Sequence, residues 1–171
     1  RQTALALLVP GASRRDPARV TAGLLAGVAS GLGGRFFDEL RDRRSLAYTV
    51  AAFAAPRRCG GAFGAYIATG PEQEDEARAG LLSEFARLAD GGVTADELAR
   101  AQTYALGTHA IAQQSGGAVL GEAVDAFLLG EGLGELDAYE GRVQGVTREE
   151  VRAFAERAFG GARAEGVVRG E

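Results

Sequence analysis

Arg35-Phe36-Phe37-Asp38-Glu39-Leu40-Arg41-Asp42-Arg43-Arg44-Ser45-Leu46-Ala47-Tyr48-Thr49-Val50 is the stretch on which the fold turns. Its first part, about Arg35 to Arg43, predicts a short helix. Its second part, Leu46 to Phe53, gathers Tyr48, Val50 and Phe53, aromatic and β-branched residues suited to a pleated strand. Arg41 and Tyr48 thus stand seven residues apart across a helix-to-strand junction. Taken alone, Arg41 complements the negative end of its helix, and Tyr48 fills core with its hydroxyl at the edge. A second reading gives both a chemical role. A guanidinium and a phenol aimed at a scissile carbonyl oxygen stabilise the negative charge that develops there during peptide hydrolysis.

Upstream, Thr3 to Val9 is an apolar run closed by Pro10-Gly11 and reads as a buried strand. Asp16-Pro17 supplies a cap and a preset first helical residue, after which Val20, Leu24, Leu25 and Val28 share one helix face. That helix stops at Ser30-Gly31-Leu32-Gly33-Gly34. Downstream, Pro56 to Gly61 is a turn and Ala62 to Thr69 a return strand, with Gly64 at a bulge or close approach. A helix opening at Gly70-Pro71 carries Ala77, Leu81, Leu82, Phe85 and Leu88 inward and ends at Gly91-Gly92. Thr94-Ala-Asp-Glu97 and Thr147-Arg-Glu-Glu150 match the capping box, in which hydroxyl and carboxylate satisfy the first orphan amides reciprocally. Further helices are expected near 96–113, 117–129 and 133–141. The last helix turns Val151, Phe154, Ala155 and Ala158 inward, and 162–168 forms a final strand. Strand, helix, hairpin, several helices and strand make an α+β fold, a mixed or antiparallel sheet covered on one face by helices. No repeat or linker interrupts it, so residues 1–171 read as a single domain.

With 46% apolar and 25% charged residues over 171 positions, the composition is that of a globular domain with a sizeable core. All 19 basic residues are Arg, and Lys, Asn, Met and Trp are absent while Ala and Gly abound, a coding bias rather than a phosphate-recognition signal. A net charge of −4 argues against a nucleic-acid partner. No apolar run has the length of a membrane span. The start at Arg1 rather than Met makes a piece of a longer polypeptide the expectation, and the compartment, cytoplasmic or periplasmic, stays open. Cys59 excludes an internal disulfide and reads as a small half-buried residue beside a turn.

Several chemistries lack their residues. A catalytic zinc needs about three protein ligands, whereas the chain has one histidine, and His109-Ala110-Ile111 builds neither H-E-x-x-H nor H-x-x-E-H. It reads as an ordinary helix histidine. The pairs Asp38/Glu39, Asp96/Glu97 and Glu149/Glu150 lie near helix starts. No G-x-S-x-G elbow is present. Gly31 to Gly34 follows a helix instead of a strand, and Phe36 takes the place of a third glycine, against a dinucleotide loop.

The Arg35–Val50 segment resembles the signature of the second, metal-free half-domain of the insulinase/pitrilysin-type zinc metallopeptidases, a group that includes the mitochondrial processing peptidases. Phe63 to Pro71, Val93 to Leu98 and Val146 to Val151 sit where that family carries similar patterns, so the likeness runs through the chain. Gly33-Gly34 departs from the Ser-Ser pair of many relatives. The resemblance implies that two α+β halves close over an unfolded peptide, the first holding zinc and the second lending Arg41 and Tyr48 as catalytic and substrate-binding groups. The chain alone would then hold no metal and cleave nothing. Its partner would be an amino-terminal zinc-bearing half, fused or separate, with a homodimer left open. The alternative is a non-catalytic scaffold of the same fold, as in core subunits of a respiratory complex. A small-molecule site at Gly31 to Gly34 is a third reading.

Overall fold

The strand β1 (Thr3–Pro10) presents two different faces because its side chains alternate: Thr3, Leu5, Leu7 and Val9 are buried, whereas Ala4, Ala6 and Leu8 are only partly covered. In the computed structural model, which describes residues 2–31, 33–129 and 132–170, β1 lies between β3 (Gly61–Thr69) and β4 (Ala164–Arg169). The strand β2 (Thr49–Pro56) flanks β3, giving the order β2-β3-β1-β4. Every pairing is antiparallel, with Leu7 opposite Ala65 and Glu165, and Ala52 opposite Ala65. This settles the mixed-or-antiparallel expectation. Gly64 is a close approach rather than a bulge: a Cβ there would fall 2.6 Å from Phe53 Cζ and 2.7 Å from Leu8 Cδ2, and the register runs through it unbroken.

Helices cover the buried face. They are α1 (Ala18–Ser30), a π-helix (Phe37–Arg43), α2 (Glu74–Gly91) after a 3-10 turn at Pro71–Gln73, α3 (Ala95–Ala112), α4 (Gly116–Leu129), α5 (Gly134–Gly145) and α6 (Arg148–Phe159). The helices α1, α2 and α6 touch the sheet, α3 packs on α1, and α5 bridges α3 and α4. Their starts follow local chemistry. Asp16 Oδ1 accepts the Ala18 amide at 2.9 Å, and both capping boxes are formed, at Thr94–Glu97 and Thr147–Glu150. Gly92, at φ +62°, ends α2 in a conformation that side chains rarely adopt. Among the described residues no helix is long and apolar enough to cross a membrane.

The core centres on Phe63 of β3. Its ring lies 5.5 Å from Phe159, 6.1 Å from Phe154 and 6.3 Å from Phe85, and Phe85 stacks on Phe159 at 4.3 Å. Phe36 joins from the entrance to the π-helix, 6.1 Å from Phe85. Truncating one buried Phe typically costs about 3–5 kcal/mol, so this cluster is the main bond between sheet and helices.

Charge fixes the edge strand β4, most of whose residues are exposed. Arg169 reaches Glu74 through two bonds of 2.7 and 2.6 Å, and Arg78 links Glu74 at 2.8 Å to Glu165 at 2.7 Å. The guanidinium groups of Arg169 and Arg78 pull the Glu74 carboxyl down to about 2. Two local expectations need correction. β2 begins at Thr49, not Leu46, because Leu46 and Ala47 are buried ahead of the ladder. Cys59 is exposed rather than half-buried, since the hairpin turn projects it outward.

Candidate functional site

The two residues singled out at the junction come together. The Arg41 guanidinium carbon lies 5.1 Å from the centre of the Tyr48 ring and 4.5 Å from that of Phe37, both within cation–π range. Three features of the local chain produce this. The π-helical turn keeps Phe36 and Leu40 fully buried while Arg41 stays at the partly exposed side. Ser45, at φ 51°, then reverses the chain. Finally, the Thr69 hydroxyl donates to the buried Leu46 carbonyl at 2.6 Å, which pins the segment just before Tyr48. Tyr48 itself is 78% exposed.

Electrostatics separate Arg41 from its neighbours. Arg35 is held by Glu97, Arg43 pairs with Glu39 at 3.2 Å, and Arg44 pairs with Glu76 at 2.8 Å. Among the described residues, Arg41 has no carboxylate partner and the Tyr48 hydroxyl no hydrogen bond. Aromatic faces position a guanidinium without neutralising it, so its N–H groups stay available to an incoming oxygen. Arg41 also lies in the last turn of its helix, where a cation suits the dipole; the two readings of this residue are compatible. Phe37 is the member that the sequence reading missed, although its i,i+4 spacing from Arg41 was there to be used.

The other sequence candidates lie elsewhere. His109 sits on α3 with Nδ1 3.4 Å from Glu122 Oε1 and its ring centroid 4.3 Å from that of Tyr139. Burial, with Glu122 close by, raises the Tyr139 phenol above its ordinary range. Among the described residues no group of three or more His, Cys, Asp and Glu is arranged to hold a metal ion. With one histidine, tied to a carboxylate between helices, the donor set does not fit a zinc centre. The glycines around Gly31–Gly34 connect α1 to the π-helix, with Leu32 outside the described residues, and so keep the helix-to-helix setting that argued against a dinucleotide loop.

Comparison with known proteins gives a consistent picture. The family described as the peptidase M16 inactive domain matches residues 1–104. An uncharacterized zinc protease of Streptomyces coelicolor is 29% identical over 160 residues, which cover 93% of this chain and 35% of that protein. The crystal structure of a peptidase M16 inactive domain from Pseudomonas fluorescens superposes with a TM-score of 0.83 at 25% identity, covering 92% of this chain and 38% of that one. A Bordetella pertussis structure superposes with a TM-score of 0.86 at 18% identity, covering 99% of this chain and 94% of that one. The chain therefore spans little more than a third of the length of the first two.

Proposed function

The chain belongs to the peptidase M16 inactive-domain family, the insulinase/pitrilysin-type group that its sequence resembles, and on that premise we propose that it is the carboxy-terminal, substrate-contacting half of a zinc metalloendopeptidase. In this reading residues 1–171 form one domain, and the zinc belongs to a partner half on the same polypeptide or on another subunit. Unfolded peptides bind between the two halves. Arg41 and Tyr48 donate to the carbonyl oxygen of the bond being cleaved, binding it more strongly as it gains negative charge. The observation that carries the reading is the unneutralised Arg41 guanidinium beside an exposed Tyr48. Apolar side chains left exposed on α3 and α4, among them Ile111, Leu120 and Phe127, support a surface that a partner half covers.

The test is kinetic. In the full-length protein, Arg41→Ala and Tyr48→Phe should each lower kcat by about tenfold or more with zinc content unchanged. Normal turnover in both variants would remove the proposed roles. An upstream H-x-x-E-H with a later Glu supports the peptidase over a non-catalytic scaffold.

A further inference from the structure

A cavity of about 530 Å³, within the size range of small-molecule sites, lies between α1, α3, α4 and α5. Neither Arg41 nor Tyr48 lines it. Its walls are built from small residues, Gly23 and Gly27 on α1 with Ala101, Ala105 and Ala126 on α3 and α4. Leu24, Leu129, Leu136 and Val143 complete an apolar lining. Ion pairs span it, Arg14 to Asp125 of α4 and Arg19 to Glu135 of α5.

The two glycines are not there for close helix packing. A Cβ at Gly23 would meet nothing within 4 Å, and one at Gly27 would meet Ala101 Cβ at 3.7 Å, an ordinary contact. Glycine in a helix interior is less stable than alanine, and among the described residues no close approach offsets that loss at these positions. What the missing side chains provide is depth in the cavity.

The polar groups on the wall define what fits. Arg14 sits with Asp125, Arg19 with Glu135, and His109 with Glu122, Nδ1 to Oε1 at 3.4 Å. Glu122 also accepts from Gln113. An ion entering the cavity would find these charges already matched, and its desolvation would go uncompensated. A neutral molecule carries no such penalty. The Thr108 hydroxyl is committed to the Tyr104 carbonyl at 2.9 Å. Tyr139 differs: it is half-buried, its ring lies 4.3 Å from that of His109, and among the described residues its hydroxyl makes no hydrogen bond. Burial favours the protonated phenol, so the group offers a donor beside an apolar wall.

We propose that this cavity binds a neutral, largely apolar small molecule bearing a hydrogen-bond acceptor, with its body over the glycine face of α1 and Tyr139 as the donor. The site stands independently of the peptidase reading, and its test needs no catalysis. Full-length protein is titrated with Prodan, a neutral naphthyl ketone whose emission reports polarity and hydrogen bonding, and with anilinonaphthalene sulfonate, an anion of similar size. Prodan should bind saturably at one site with blue-shifted emission, and the anion at least about tenfold more weakly. Gly23→Leu places a side chain in open space, so it should weaken Prodan binding about tenfold or more without lowering the melting temperature. Tyr139→Phe should weaken it about two- to tenfold and move the emission further to the blue, because the ketone loses its donor. Phe127→Ser, on the exposed side of α4, should change nothing. The absence of saturable binding, equal binding of the anion, unchanged affinity in Gly23→Leu or Tyr139→Phe, or loss of binding in Phe127→Ser would overturn the proposal.

Discussion

Arg35 and Glu97 form a two-point ion pair, Nε to Oε1 at 2.7 Å and Nη2 to Oε2 at 2.8 Å, although they lie 62 positions apart in the chain. The same Arg35 Nη2 donates to the Gly92 carbonyl at 2.9 Å, and the same Glu97 Oε2 accepts the Thr94 amide at 2.7 Å. One carboxylate therefore caps α3 and ties the entrance of the π-helix to the turn that follows α2. A local capping signal in the sequence thus doubles as a tertiary clasp.

That clasp predicts a pH dependence. The bond from Arg35 holds the Glu97 carboxyl at about 2, below its ordinary value. Because the folded-state value is depressed, the stabilisation is complete above the ordinary carboxylate range near 4.5 and is lost as pH falls toward 2. Thermal unfolding of the wild type and Glu97→Gln should differ most at neutral pH and converge on acidification. A gap that stays constant from pH 7 to pH 2.5 would show that the ion pair contributes nothing.

The Arg169–Glu74 bond gives a different expectation, because it secures an edge strand rather than a turn. Arg169→Ala should speed amide hydrogen exchange in β4 several-fold while leaving β1 and β3 protected, since the aromatic cluster around Phe63 is untouched. Uniform acceleration across the sheet would mean that β4 belongs to the cooperative core.

Much of the fold was legible where causes are local. Thr94, Thr147, Asp16-Pro17 and Gly92 act on their own neighbours, so the starts of α1, α3 and α6 and the end of α2 follow from short spacings. The period of two in β1 and the inward stripe of α2 were readable for the same reason. What escaped depends on distant partners. Leu46 and Ala47 have the apolar character of a strand, yet β2 begins only at Thr49, the Leu46 carbonyl bonding to the Thr69 side chain instead of a ladder amide. The π-helical turn carries no sequence mark, being set by Phe36 and Leu40 seating in the core. Glu84 looks like any charged residue of an amphipathic helix until α2 is packed. Resemblance points to Arg41 and Tyr48, whereas the stacking of Arg41 on Phe37 depends on how the π-helical turn is seated.

Thr69→Val tests whether the junction is held from β3. The substitution keeps the shape and removes the donor to a buried carbonyl, which costs about 1–3 kcal/mol. Denaturant unfolding should register that loss, and Thr69→Ser should recover most of it. If valine is as stable as threonine, the 2.6 Å bond does not hold the Tyr48 segment in place.

Phe37 offers the sharper test of the site because it touches Arg41 without being a donor itself. Phe37→Leu retains apolar bulk on the π-helix and removes the ring face worth about 0.5–1 kcal/mol to a partly exposed cation. Under the proposed function, the guanidinium then samples more orientations, so kcat should fall about two- to fivefold while KM and melting temperature hardly change. Combined with Arg41→Ala, the Phe37→Leu change should have no further effect on kcat, since it acts only through that guanidinium. Additive losses in the double variant would mean that Phe37 contacts the substrate or supports the fold by another route.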